Sequence, residues 1–178
     1  MTNQPELLLE TRLFRVERLV QTTSDGARHP RDVVRHPGAV CVLPLLDHER
    51  PGRERVCLIR NERVAVGRTL LELPAGTLEK NEDPRQTARR ELAEETGYRA
   101  GRIEPLTQFH TSPGILDERM YLFLATELTA GRPDLQPGEE IETMIVPLDE
   151  AMEMIRQGRI EDGKTLVGLL WYAAMRRG

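Results

Sequence analysis

Apolar residues along the chain fall into short runs separated by polar, glycine- and proline-containing stretches. Leu7 to Val20 alternates in part, through Leu7, Leu9, Leu13, Phe14 and Val16, and Arg31 to His36 resumes with Val33 and Val34 after Asp25-Gly26. This pattern predicts strand, turn, strand. A hairpin of that size does not hold itself up, so it needs the rest of the chain or a partner subunit to lie on. Ala39 to Leu46 is continuously apolar, as a strand buried on both faces would be. The polar loop Asp47 to Arg55, with Pro51-Gly52, leads to a strand at Val56 to Arg60, expected to pair with it as a hairpin. Further strands are expected at Thr69 to Leu73, Ile103 to Phe109, Met120 to Thr129 and Glu142 to Pro147, and helices at Asp83 to Thr96, Asp149 to Gln157 and Lys164 to Met175. On the last helix, Trp171 and Met175 read as core. This order implies a mixed sheet flanked by helices, an α/β sandwich. The expected organisation is an N-terminal β-hairpin segment over residues 1–37 and one globular domain over 38–178.

Composition narrows the classes. The chain has 178 residues, 25 Lys+Arg against 29 Asp+Glu, 39% hydrophobic and 30% charged residues. The slightly acidic balance argues against a nucleic-acid coat. No apolar run approaches the ~18 residues of a membrane span. Met1 to Glu6 has no basic segment followed by an apolar one, so no signal peptide is expected. Cys41 and Cys57 sit in strand-like runs without metal spacing and read as buried free thiols, which fits a cytoplasmic protein. His29, His36, His48 and His110 show no metal-ligand spacing and read as structural or exposed.

The chemistry concentrates between Gly76 and Tyr98. Asp83 suits an N-cap, Pro84 the first helical position, Gln86 the third position of a capping box and Gly97 the residue past the end. Between them Glu91, Glu94 and Glu95 share one helical face. Like charges at that spacing destabilise a helix by a few tenths of a kcal/mol per pair. A divalent cation such as Mg²⁺ or Mn²⁺ would offset this repulsion, since both take carboxylate oxygens; a solvated acidic face is the plain alternative. Leu73-Pro74-Ala75-Gly76 forms a tight turn that can aim backbone carbonyls at the same ion.

The stretch resembles the Nudix box, Gly-x5-Glu-x7-Arg-Glu-apolar-x-Glu-Glu-x-Gly-apolar. Gly76, Glu82, Arg90-Glu91, Leu92, Glu94-Glu95, Gly97 and Tyr98 fill it without a gap. The resemblance implies a Nudix-type α/β/α sandwich and metal-dependent hydrolysis of a nucleoside diphosphate linked to another group. Carried over, Glu91, Glu95 and Glu94 are the metal ligands, with the carbonyl of Ala75 beside them. Arg90 would orient the glutamates, and Glu82 would be structural. Pro113 stands sixteen residues after Gly97. That offset, and the flanking segments at 31–40, 66–76 and 112–119, resemble the ADP-ribose pyrophosphatase subfamily. The resemblance implies cleavage of ADP-ribose to AMP and ribose 5-phosphate by a homodimer in which the N-terminal hairpin packs on the partner.

Further assignments follow from the same resemblance. The catalytic base is expected in the acidic loop Asp134 to Glu142, with Glu139 first and Glu140 second. Glu95 is included in the catalytic set. Arg63 and Arg35 would bind phosphate, Pro113 would belong to the substrate site, and Glu118 would touch the terminal ribose. Phe14 is either a stacking surface for adenine or part of the core. GDP-mannose and other nucleotide sugars are the rival substrates, and a non-catalytic ADP-ribose sensor is a more distant reading.

Overall fold

The computed structural model describes residues 4–50 and 52–176, so Pro51 of the expected Pro51-Gly52 turn lies outside the described residues. Three strands open the chain: β1 (Glu6–Glu10), β2 (Arg15–Thr22) and β3 (Arg28–Arg35), in one antiparallel sheet of order β1-β2-β3. The expected hairpin is therefore a three-stranded meander. Its extra reversal is built by Thr11, whose Oγ accepts the N–H groups of Leu13 at 3.2 Å and Phe14 at 2.9 Å. Hydroxyl turns of this kind compete with strand pairing and leave no gap in hydrophobic alternation. The sheet buries little of itself: Leu7 and Leu9 remain 54% and 51% exposed. It joins the rest of the chain at β3, where Val34 N–H donates to the Ile115 carbonyl and the Val34 carbonyl accepts from Asp117 N–H.

The second sheet has seven strands. Its main path runs β10 (Ile141–Pro147), β5 (Arg55–Arg63), β4 (Ala39–Leu46), β9 (Arg119–Thr129), β8 (Arg99–His110). β6 (Arg68–Glu72) pairs with β5, and the short β7 (Ala75–Thr77) pairs with β4. The β4–β9 pairing is parallel and the other pairings are antiparallel, so the sheet is mixed. β4 and β5 do not form the full hairpin expected. They pair only at Leu45–Val56 and Leu46–Arg55 before diverging. β5 goes on with β6 and β10, while β4 takes β7 and β9. The wedge between them is where the Pro74-Ala75-Gly76 turn enters the sheet.

β4 is buried on both faces, which explains its unbroken apolar run. Ala39, Cys41, Leu43 and Leu45 pack with Leu148, Met154 and Leu169 of the helices α2 (Leu148–Arg156) and α3 (Gly163–Met175). Val40 and Val42 pack with Ala88 and Leu92 of α1 (Pro84–Thr96) on the other side. Helices on both faces make the α/β/α sandwich expected. Each fully buried Leu or Val contributes roughly 1.5–3 kcal/mol. Cys41 and Cys57 are free and buried, and burial pushes both thiols up, Cys57 to about 12. Trp171 and Met175 are not core: they are 44% and 60% exposed, because α3 buries the stripe of Thr165, Gly168, Leu169 and Tyr172 instead.

Candidate active site

α1 begins and ends as its sequence dictates. The Asp83 carboxylate accepts from Arg85 N–H at 2.7 Å, Pro84 opens the first turn, and Gly97 closes the helix with φ 76°. A side chain at Gly97 would also collide with the backbone at 131–133, where the loop after β9 crosses the helix end. That loop is fastened there by Asp134 N–H donating to the Glu94 carbonyl at 2.9 Å.

Glu91 and Glu95 point inward and are buried, 8% and 5% exposed. Ala75 N–H donates to Glu95 Oε2 at 2.9 Å. Glu91 lies in the space left by the missing side chain of Gly76. The turn before β7 is thus clasped to two carboxylates of α1. Arg90 bridges Glu91 to two others: Nε and Nη2 donate to Glu82 at 3.1 Å each, and Nη1 donates to Glu91 at 2.7 Å and Glu94 at 3.3 Å.

Burial pushes the Glu95 carboxyl up to about 8, against the Ala75 N–H, with the charges of Glu91 and Glu139 adding to the rise. Burial likewise raises Glu91, against the pull of Arg90, with Glu94 and Glu139 adding to it. Glu139, from the loop before β10, is therefore close enough to act on both helix acids. Its own carboxylate accepts from Gln136 N–H at 2.9 Å. Glu140 is exposed and pairs with no described residue.

Among the described residues no three Asp, Glu, His or Cys side chains converge as a ready-made metal cage. Arg90 holds Glu91 and Glu94, and Ala75 N–H holds Glu95. The donor set nevertheless suits a hard divalent ion. Mg²⁺ keeps several waters and takes one or two carboxylates together with substrate phosphates, so a closed cage is not required. Two buried carboxylates that resist ionisation beside a backbone turn are what such an ion would relieve.

A cleft of about 400 Å³ opens against this clasp, lined by Ala75, Gly76 and Thr77, by Arg63 of β5, Thr111, Glu118 and Met120, and by Asp162 and Lys164 at the start of α3. Glu118 is held by Thr111 Oγ at 2.7 Å and faces His36 Nδ1 at 3.3 Å. The matching family is the NUDIX domain, over residues 35–167. The chain belongs to the Nudix family. An ADP-ribose pyrophosphatase of Bacillus subtilis (strain 168) is 40% identical over 143 residues, covering 79% of this chain and 75% of its own. A GDP-mannose pyrophosphatase of Enterobacter sp. (strain 638) is 35% identical over 164 residues, covering 86% and 82%. A crystal structure of an ADP compounds hydrolase superposes with a TM-score of 0.81 at 22% identity, over 100% of this chain and 97% of that one, and so shares the fold. The protein is a Nudix hydrolase, an enzyme of a family that works with divalent metal ions.

Within this Nudix hydrolase the residues expected at the site divide into two groups. Ala75, Glu91 and Glu95 meet at the clasp, Glu94 flanks it through Arg90, and Glu139 approaches from its loop. Arg63 and Glu118 line the cleft. Pro113 does not line it: Pro113 sits in an exposed turn in which the Ser112 carbonyl accepts from Ile115 and Leu116 N–H. Arg35 is also outside the cleft. It is paired with Glu17 at 2.9 Å and Asp117 at 3.0 Å and lines a neighbouring hollow of about 830 Å³ with Phe14. That hollow and the cleft meet at Thr77. Sequence reasoning missed Glu72, Asp162 and Lys164. The available signal was Glu72 itself, a carboxylate set between Leu71 and Leu73.

Proposed function

We propose that this Nudix hydrolase cleaves the diphosphate of ADP-ribose to AMP and ribose 5-phosphate, with Mg²⁺ as its metal and Mn²⁺ as a substitute, as a cytoplasmic homodimer. The observation that carries the reading is the cleft itself. It brings the Ala75-Gly76 turn, clasped by Glu91 and Glu95, to the same cavity as a cationic Arg63 and a carboxylate, Glu118, suited to a sugar diol. A diphosphate has its charge met on one side by guanidinium, whose forked donors match phosphate oxygens. Glu91, Glu95, Glu94 and the Ala75 carbonyl would hold the divalent ion, which when bound would neutralise the diphosphate and activate water. Glu139 takes the proton from the attacking water. The new O–P bond forms on one phosphorus, the bridging P–O bond breaks, and the second phosphate leaves. With the terminal ribose at Glu118, the hollow beside Phe14 is the place for the adenosine half.

The second reading, GDP-mannose cleavage, has the Enterobacter relative in its favour. Side-by-side turnover of ADP-ribose, ADP-glucose, GDP-mannose and NADH decides between them. ADP-ribose is expected to have the highest kcat/KM, and faster cleavage of GDP-mannose would reverse the assignment. The dimer rests on the exposed leucines of β1, and the cytoplasmic site on two buried free thiols.

A further inference from the structure

At and behind the cleft wall lie three charged residues that the reaction described above does not use, Glu72, Asp162 and Lys164. Glu72, at the end of β6, is 1% exposed. A carboxylate that deeply placed must be paired and hydrogen-bonded. It is met from two sides. Arg63 donates to it as a fork, Nε to Oε1 at 2.7 Å and Nη2 to Oε2 at 2.6 Å. Lys164 Nζ donates to Oε2 at 2.5 Å and also pairs with Asp162 Oδ1 at 3.0 Å. Lys164 is itself largely buried, with its side chain 11% exposed, while Arg63 remains 41% exposed.

The first turn of α3 is bolted to the strand that carries Glu72. Asp162 caps the helix by accepting from Thr165 N–H at 3.0 Å, and the Thr165 hydroxyl bonds Asp162 and accepts Leu73 N–H at 2.7 Å. The position of Lys164 relative to Glu72 is thereby fixed through the backbone on both sides. Arg63 sits at the turn end of the β5–β6 hairpin, and its Nε edge is spent on Glu72. Its Nη1 makes no hydrogen bond to a described residue, and the residue lines the cleft.

We propose that Lys164, steadied by Asp162, is a positioning residue: it anchors the Glu72 carboxylate so that Glu72 holds the Arg63 guanidinium with its open edge toward the substrate diphosphate. This rests on the reading of Arg63 as a phosphate ligand. A buried ion pair is a weak source of net stability against an apolar replacement of similar shape. The consequence of the arrangement lies instead in where it leaves Arg63. Without Lys164, Glu72 has one cation in place of two and draws Arg63 inward, away from the cleft.

The test is a double-mutant cycle on the full chain, read as kcat and KM for ADP-ribose at saturating Mg²⁺. Arg63→Ala is expected to raise KM about tenfold or more, as loss of a charge-assisted hydrogen bond does. Lys164→Met is expected to raise KM by about tenfold with kcat changed less than about threefold, and Lys164→Arg to recover most of the loss. In the Arg63→Ala background Lys164→Met should add less than about twofold. Effects that multiply would mean that Lys164 meets substrate directly, or acts on the fold alone, and either overturns the proposal. Should Lys164→Met fail to fold, Asp162→Asn answers the same question through a smaller KM increase that also vanishes without Arg63. Wild-type turnover is measured first. If ADP-ribose is not hydrolysed and GDP-mannose is, the substrate reading falls, and the same cycle on GDP-mannose still decides the role of Lys164.

Discussion

Replacing Gly76 with alanine asks where the Glu91 carboxylate must stand. A Cβ at this position would fall on the carboxyl group of Glu91. The backbone there is not left-handed, so the main chain accepts alanine and the side chain has to give way. Non-bonded heavy atoms need about 3.5 Å between centres, so the carboxylate must withdraw by about 1 Å or more. Mg²⁺ holds oxygens at about 2.0–2.1 Å in a nearly ideal octahedron, and a ligand moved that far leaves it. The expected loss in kcat/KM is about 10²–10³-fold, or roughly 2.7–4 kcal/mol of transition-state stabilisation. The folding cost should be small. The disturbed pair, Arg90 with Glu91, has side chains 27% and 11% exposed, and such a pair contributes about 1 kcal/mol. Removing a glycine returns about 0.4–1 kcal/mol through the unfolded chain. Steady-state turnover across a Mg²⁺ titration, with thermal unfolding alongside, reads both quantities. Wild-type activity and metal dependence in Gly76→Ala would refute the assignment of Glu91, and an inactive variant that is simply unfolded would refute the small folding cost.

Other outcomes follow from the same geometry. The folded Glu95 carboxyl titrates near 8, above its value in the unfolded chain, so the unfolded state has already released its proton over the intervening range. Metal-free stability is therefore expected to fall as pH rises from about 4.5 to 8, at up to about 1.4 kcal/mol per unit. Glu95→Gln should flatten that slope while abolishing turnover, and added Mg²⁺ should restore the wild type most at the alkaline end; a metal-free unfolding midpoint independent of pH would count against it. Glu139→Gln is expected to lower kcat by about 10²–10⁴-fold and Glu140→Gln by less than about threefold, and the reverse order would move the base to Glu140. A Leu7→Glu, Leu9→Glu double variant should sediment as a monomer if β1 forms the subunit contact, and an unchanged dimer would place the contact elsewhere.

Local chemistry was the readable part of the sequence. Asp83, Pro84 and Gly97 mark both ends of α1 by capping rules alone, and the face shared by Glu91 and Glu95 follows from helical spacing. The double burial of β4 follows from its unbroken apolar run. Long-range pairing was not readable. Nothing in Ala39 to Leu46 says that its neighbours are β9 and β7 over most of its length. The reversal at Thr11 depends on one hydroxyl, which the alternation of leucines masks. Trp171 and Met175 look like core by composition and lie on the outer stripe of α3. Lys164 meets Glu72 only because α3 returns to the end of β6, a contact across ninety-two positions.

The bond from Asp134 N–H to the Glu94 carbonyl limits how the acidic loop can travel. One end is pinned to the last turn of α1 and the other enters the sheet at Ile141. The six residues between these anchors span seven steps and reach no more than about 25 Å when fully drawn out. Glu139 thus sits on a short leash whose post is the peptide of Glu94, one of the proposed metal ligands. Any inward stroke of the leash loads that peptide, so under the proposed roles engagement of Glu139 as proton acceptor and seating of the cation would be joined mechanically.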